Sequence, residues 1–223
     1  MDRGSAIAAL LAALAAITTA PARAGEVQGQ VRYAAAPAPP APMPVTKDSR
    51  ACGTSVPDES LLVSRGGLAN VVVTLEGAPP APPARARLDQ QGCRFVPHVQ
   101  VAPLGSTLEI ANGDPVLHNV HGWLGRTTRF DVPMPERGVR APVKLDRPGL
   151  IQVRCDVHGW MSAFVVVAAG PAAVSGADGV FALRDVPPGS YKLTAWHERL
   201  GVRTVEVTVP AQGATRVALS FVE

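Results

Sequence analysis

The sequence predicts an all-β protein, and three observations point to this class. Apolar, β-branched runs recur at strand length, and none keeps the 3.6-residue period of an amphipathic helix for long. Glycine and proline, with 21 and 22 residues among 223, separate these runs as turn residues do, and aromatic residues make up only 4%. A chain of this length is sufficient for one or two β-sandwich domains. The predicted strands lie at residues 27–33, 71–75, 99–110, 150–154, 164–167, 191–195 and 202–209.

Residues 1–24 have the pattern of a secretory signal peptide: a weakly cationic start, a short apolar core and the ending Ala22-Arg23-Ala24. The apolar core is too short for a membrane span. We therefore expect an exported protein, periplasmic or secreted, that begins near Gly25. Removal of this segment leaves 19 basic and 17 acidic residues of the original 21 and 18, and such a small excess argues against a nucleic-acid partner.

A short polar loop between two apolar runs carries Cys155, His158 and Met161. Thiolate, imidazole and thioether at i, i+3 and i+6 form a donor set that suits copper, because sulfur ligands favour Cu(I) and imidazole also accepts Cu(II). A blue-copper centre needs a second histidine, and His118 supplies it after the predicted end of an earlier strand. The alternatives are that Cys155 is a small buried hydrophobic residue and that Met161 fills the core.

These residues resemble the cupredoxins, the small blue copper proteins of the plastocyanin and amicyanin type. The sequence Cys-Asp-Val-His-Gly-Trp-Met matches the ligand loop of that family, and upstream features occur in the same order over roughly residues 90–168. Those features are Phe95-Val96-Pro97, Gly105, Asn112 and His118-Asn119. The resemblance implies a Greek-key β-sandwich that holds one type 1 copper ion through His118, Cys155, His158 and Met161.

The resemblance also implies roles for residues near the ligands. Asn119 would join the two ligand loops by hydrogen bonds. His158 would reach the surface at an apolar patch formed by Trp160, or by Trp123, against which redox proteins dock. The alternative is that both tryptophans are buried core residues.

The predicted function is one-electron transfer between redox partner proteins. The sequence lacks the His-Cys-His motif that links a blue copper to a trinuclear cluster, and it has no C-x3-C pair, so we predict that the chain is not an enzyme. Copper binding or delivery without electron transfer is the alternative, although Met43 and Met134 are isolated rather than clustered. A sandwich that binds no metal is a third possibility.

Residues 173–196 resemble the carboxypeptidase regulatory-like domain, a prealbumin-like β-sandwich, through Asp178-Gly179 and the Pro-Pro-Gly-x-Tyr run that ends at Tyr191. Residues 25–31, GEVQGQV, fit the opening strand of that family. The expected division is residues 1–24, signal peptide; 25–66, N-terminal strand and connector, which could complete the C-terminal sandwich; 67–168, cupredoxin domain; and 169–223, the second sandwich. The C-terminal part could instead stand alone, and the run at 70–75 could belong to either sandwich.

An odd number of cysteines in an exported protein calls for one thiol with a separate role, and Cys155 has one. Cys52 and Cys93 are then expected to form a disulfide, since the compartment is oxidising. The alternative pairs Cys93 with His98 at a second metal site. The sequence leaves open whether His98 and His121 have a role at the copper end, and it predicts a structural hydrogen bond for His197.

Overall fold

The computed structural model describes residues 24–35 and 37–222, so the predicted signal peptide lies outside the described residues except for Ala24. The prediction of an all-β sandwich fold is confirmed, because the described chain forms twenty strands and one short helix. No helix among the described residues is long and apolar enough to cross a membrane.

The first ten strands and the helix are β1 (Gly25–Tyr33), β2 (Met43–Pro44), α1 (Ser49–Cys52), β3 (Ser55–Val56), β4 (Val63–Ser64), β5 (Gly67–Leu68), β6 (Val72–Glu76), β7 (Arg85–Gln90), β8 (Phe95–Val96), β9 (Val99–Pro103) and β10 (Thr107–Asn112). The remaining strands are β11 (His118–Leu124), β12 (Thr127–Met134), β13 (Arg140–Lys144), β14 (Gly149–Arg154), β15 (Ser162–Ala168), β16 (Ala172–Val174), β17 (Val180–Val186), β18 (Gly189–His197), β19 (Gly201–Val209) and β20 (Ala214–Phe221).

The predicted ligands lie in a β-sandwich formed by residues 85–168, which we name the ligand sandwich. One sheet has the strand order β13-β10-β7-β8 and the other the order β12-β11-β14-β15-β9. Alternate residues point between the sheets, as Ile151 and Val153 of β14 do, with 3% and 0% of their surface exposed. This alternation buries a core that includes Leu88, Ile110 and Val120.

Strands from both ends of the chain form the second sandwich, which comprises residues 25–33, 61–78 and 172–221. Strand β1 pairs antiparallel with β17 and parallel with β20, while β16, β6, β18 and β19 form the facing sheet. Gly29 of β1 lies directly under the Phe181 ring, where an added Cβ atom would collide with that ring. The glycine in this strand therefore allows close packing of the core.

Strand β6 belongs to the second sandwich, whereas the sequence-based boundary at residue 67 had placed it in the cupredoxin domain. It pairs with β16 and β18. Val73 and Leu75 face the core of the second sandwich, while Val72 packs on the opposite side against Val99 and Phe164 of the ligand sandwich. Because both faces of β6 are covered, its sequence is a continuous apolar run that fits either location.

The two sandwiches contact each other through a small apolar cluster and a charged pair. The rings of Phe164 and Trp196 meet edge to face, with their centroids 5.1 Å apart. Next to them, His98 Nε2 bonds to the carboxylate of Glu198, and His98 Nδ1 bonds to the carbonyl oxygen of Ser162 at 3.0 Å. The interface therefore reaches the ligand sandwich at the residue that follows Met161.

Candidate metal centre

Three of the four predicted ligands bring their donor atoms together inside the ligand sandwich. His118 begins β11, while Cys155 and His158 lie in the loop between β14 and β15. The Cys155 Sγ atom is 3.9 Å from Nδ1 of each histidine, and the two Nδ1 atoms are 2.9 Å apart. The histidines have no exposed surface and Cys155 has 3%. This arrangement directs two nitrogens and one sulfur toward a common point that is closed to solvent.

Met161 lies in the same buried cluster as Cys155 and is 1% exposed. The ligand loop closes tightly: the Met161 N–H donates to the His158 carbonyl at 2.9 Å, and the Cys155 N–H donates to the Met161 carbonyl at 3.4 Å. The loop thus returns Met161 to the core that also contains Cys155.

Each of the two predicted ligand imidazoles bonds through its outer nitrogen to a carboxylate. His118 Nε2 is 3.1 Å from Asp114 Oδ2, and His158 Nε2 is 2.9 Å from Asp48 Oδ2. Asp114 also accepts the backbone N–H groups of Gly92 and Cys93 at 2.7 and 2.8 Å. Such carboxylate–histidine pairs fix the ring orientation and leave the inner nitrogen free to bind a metal ion.

Neither carboxylate is predicted from the sequence. Asp114 lies four residues before His118, so its spacing offered a weak local signal. Asp48 lies 110 residues before His158 in the chain, and nothing in the local sequence connects the two.

The electrostatics of the site lower the pKa of the Cys155 thiol. Burial alone raises the pKa of the Cys155 thiol, but hydrogen bonds from His118 and from backbone N–H groups, including that of Asn119, outweigh burial and lower it. Burial lowers the pKa of His118, yet its bonds to Asp114 and Cys155 raise the pKa overall, to about 8. The thiolate is the form of cysteine that binds metals, and the lowered pKa shifts Cys155 toward that form.

The pKa of His158 is shifted in the opposite direction to that of His118. Burial, and to a smaller extent the charge on His118, lowers the pKa of His158, although the bond to Asp48 acts in the opposite direction. The lowered pKa shifts His158 toward the neutral imidazole. A neutral imidazole nitrogen is the form that coordinates a metal ion.

Asn119 joins the two ligand segments, the role that the resemblance implied. Its side-chain oxygen accepts the Asp156 N–H at 2.6 Å, and its amide nitrogen donates to Asp156 at 2.8 Å and to Asp131 at 3.1 Å. His121 bonds to Asp156 Oδ2 at 3.1 Å on the protein surface. Asn119 thereby fixes β11 relative to the residue that follows Cys155.

The expectation that His158 reaches the surface is wrong for this structure. Asp48 covers the outer edge of its ring, and the segment from β2 to β3, which contains α1, supplies that carboxylate. Trp160 is half-buried, and its indole N–H donates to the Cys93 carbonyl at 3.0 Å. Trp123 stacks against His121, with ring centroids 3.6 Å apart. The edge that would serve as a docking patch is occupied by the protein's own chain.

Cys52 and Cys93 form a disulfide, which bridges a separation of 41 residues. Cys93 is therefore bonded to sulfur rather than paired with His98 at a second metal site, and His98 is engaged by Ser162 and Glu198. Cys155 is the free cysteine. His197 is buried outside the site, and its Nδ1 accepts the Arg199 N–H at 3.3 Å.

No protein-family model matches the chain, and no curated protein matches it. Among solved structures, a mutant of amicyanin in the Cu(I) state is 18% identical, covers 43% of this chain and 97% of its own, and has a TM-score of 0.34. A purple cupredoxin from Nitrosopumilus maritimus is 19% identical, covers 37% of this chain and 98% of its own, and has a TM-score of 0.31. Each of these two matches covers less than half of this chain.

A copper-containing nitrite reductase from Thermus scotoductus SA-01 also matches, with 24% identity over 41% of this chain and a TM-score of 0.35. The match spans only 24% of the length of the reductase. The prediction that this chain is not an enzyme is corrected by this finding, because the matching structures include an enzyme.

Proposed function

We propose that His118, Cys155, His158 and Met161 would hold one type 1 copper ion, and that the chain carries single electrons between redox proteins. The observation that supports this most is the convergence of one cysteine sulfur and two imidazole nitrogens in a buried site. Two histidines and one cysteine with a long axial methionine form the donor set of blue-copper electron-transfer sites. Bound copper would supply a one-electron couple.

The chain's own residues would keep this centre rigid. The outer carboxylates orient the two imidazoles, Asn119 ties the ligand loop to β11, and the buried position excludes water. A fixed donor set suits electron transfer because little reorganisation accompanies a change in charge. Burial of the donors also opposes release of an ion, and this favours electron transfer over copper delivery.

The proposed setting is outside the cytoplasm, and the redox partners would be donor and acceptor proteins of the same compartment. The pattern of residues 1–24 and the disulfide between Cys52 and Cys93 support this setting, since disulfides persist in oxidising compartments.

We also propose that the second sandwich is of the carboxypeptidase regulatory-like type and serves to anchor or dock the protein. Two of its turns support this assignment. Gly179 adopts φ +77° in the Asp-Gly turn, and the Tyr191 hydroxyl donates to the Pro187 carbonyl at 2.9 Å across the Pro-Pro-Gly turn. Pairing of β1 with β17 and β20 agrees with an opening strand supplied by the N-terminal segment.

A reductive titration of the copper-loaded full chain tests the proposal. We expect one electron per chain, taken up and released reversibly, while a chelator fails to remove copper from either oxidation state. Release of the ion on reduction would favour copper delivery, and irreversible or multi-electron uptake would contradict the carrier function.

A further inference from the structure

Asp48 has an unusual local conformation for its position in the sequence. It is the N-cap residue of α1, where an aspartate side chain normally accepts a backbone N–H of the first helical turn. Here its side chain makes no capping hydrogen bond, and its backbone adopts the left-handed conformation, with φ 53° and ψ 37°. The carboxylate instead bonds to His158 Nε2 at 2.9 Å. Local helix preferences are thus left unsatisfied while the contact with His158 is made.

The disulfide connects this carboxylate to the rest of the site. Cys52 ends α1 and is bonded to Cys93. The Cys93 N–H donates to Asp114, which holds His118, and the Cys93 carbonyl accepts the indole N–H of Trp160. The helical turn α1 and the disulfide therefore connect Asp48 to Asp114, the carboxylate that is bonded to His118.

Trp160 completes the enclosure of His158. Its ring centroid lies 5.0 Å from that of the His158 imidazole, and its indole is fixed by the bond to Cys93. Asp48 closes the edge that Trp160 does not cover, and the His158 side chain has no exposed surface. Removal of the Asp48 carboxylate would expose the outer nitrogen to water.

We propose that Asp48 is a positioning residue of the metal centre, which fixes the His158 ring, seals its outer edge and places a negative charge beside the ligand set. The Cys52–Cys93 disulfide holds the segment in place for this purpose. The inference rests on the proposed copper site, and it identifies a residue that acts on the site through His158.

The proposal predicts a change in the reduction potential. A negative charge near the metal stabilises the oxidised state, which carries the greater positive charge, and so lowers the potential. Asp48 is 37% exposed in its side chain, so solvent screens part of this effect. Asp48→Asn should raise the potential while the thiolate-to-copper band persists, because the copper ligands are unchanged. Asp48→Glu, which restores a carboxylate, should return the potential toward the wild-type value.

Glu206→Gln is the matched control, since it removes the same charge from an exposed position on β19 of the second sandwich. Its potential should equal that of the wild type. If Asp48→Asn and Glu206→Gln have the same potential, the proposal is overturned. If the Glu variant fails to move the potential back, charge and hydrogen bonding at Asp48 do not set it.

The double variant Cys52→Ser/Cys93→Ser tests whether the disulfide holds the Asp48 segment in place. Both cysteines are replaced because a lone Cys93 thiol would lie near Asp114 and His118, where it could bind metal. We expect the potential to rise in the same direction as in Asp48→Asn, since the segment is no longer held. If the double variant has the reduction potential of the wild type, the disulfide does not hold the Asp48 segment in place, and this part of the proposal is overturned.

Hydrogen exchange in the metal-free protein tests the role of Asp48 without depending on copper binding. In the wild type, the hydrogen on the outer nitrogen of His158 should exchange slowly with solvent in NMR spectra, and in Asp48→Ala it should exchange rapidly. Slow exchange in both proteins would show that Asp48 does not shield the outer nitrogen of His158 from solvent, even if copper binding is established. Rapid exchange in the variant alone would support the seal even if the protein fails to form a blue-copper centre.

Discussion

The two sandwiches bury similar apolar cores but differ in the polar groups inside them. The ligand sandwich buries His118, His158, Asn112 and Asp114, and each has hydrogen-bond partners. Among the described residues of the second sandwich, the buried polar side chains are those of Ser175 and His197. Burial of polar groups is costly unless they are paired, so a dense, paired cluster indicates chemistry at that place.

Asn112 illustrates how the ligand sandwich uses its buried polar groups. Its amide nitrogen donates to the carbonyls of Val116 and Met134 at 3.0 Å, and its oxygen accepts the Asp114 N–H at 2.9 Å. These bonds shape the loop that leads to His118. In the second sandwich Ser175 instead bonds to the Val71 N–H and the Leu68 carbonyl, which closes the strands of its own core.

If the chemistry belongs to the ligand sandwich alone, a large cavity in the second sandwich should cost stability without affecting the site. Phe221 is fully buried there. Phe221→Ala should lower the free energy of unfolding by about 3–5 kcal/mol, measured by chemical denaturation. The copper spectrum of the folded fraction should match the wild type. A changed spectrum in protein shown to be folded would contradict the division of roles.

The two sandwiches also differ in whether a buried histidine is bonded to a carboxylate. Burial lowers the pKa of His197 to about 4, because no carboxylate bonds to its ring. A depressed histidine pKa gives stability that is present above the unfolded-state pKa near 6.5 and is lost as the pH falls toward 4. The loss should be on the order of 2–3 kcal/mol.

His197→Asn provides the measurement, because asparagine does not titrate. Between pH 7.5 and pH 4, the wild type should lose this amount of unfolding free energy relative to the variant. A difference that stays constant over this range would show that His197 is not held neutral in the folded state.

A smaller effect of opposite sign is expected from His98 at the junction of the two sandwiches. Burial lowers its pKa, but the bonds to Glu198 and Ser162 outweigh burial and raise it. A raised histidine pKa gives stability that is present below the unfolded-state pKa and is lost as the pH rises through the folded-state pKa.

Glu198→Gln removes the charged partner of His98 and should cost about 1.5 kcal/mol at pH 6. The cost should shrink toward pH 9, because loss of the His98 proton as the pH rises removes its charged pairing with Glu198. Unfolding curves at the two pH values give the measurement. An equal cost at both would show that Glu198 stabilises the protein through contacts other than its pairing with His98.

Local sequence signals were enough to predict the all-β class and to select the residues of the ligand loop, since Cys155, His158 and Met161 lie within seven positions. They were not enough for contacts between distant segments. Asp48 meets His158 across 110 residues and Glu198 meets His98 across 100. The exposed edge expected for His158 was wrong for the same reason, because the covering segment comes from a remote part of the chain.

The visible absorption of the Cu(II)-loaded full chain tests the central claim most directly. If His118, Cys155 and His158 hold one copper ion, one equivalent of Cu(II) should produce an intense thiolate-to-copper charge-transfer band. Cys155→Ser should abolish that band and His197→Asn should retain it. A wild-type spectrum typical of tetragonal Cu(II), without a thiolate band, would contradict the blue-copper site.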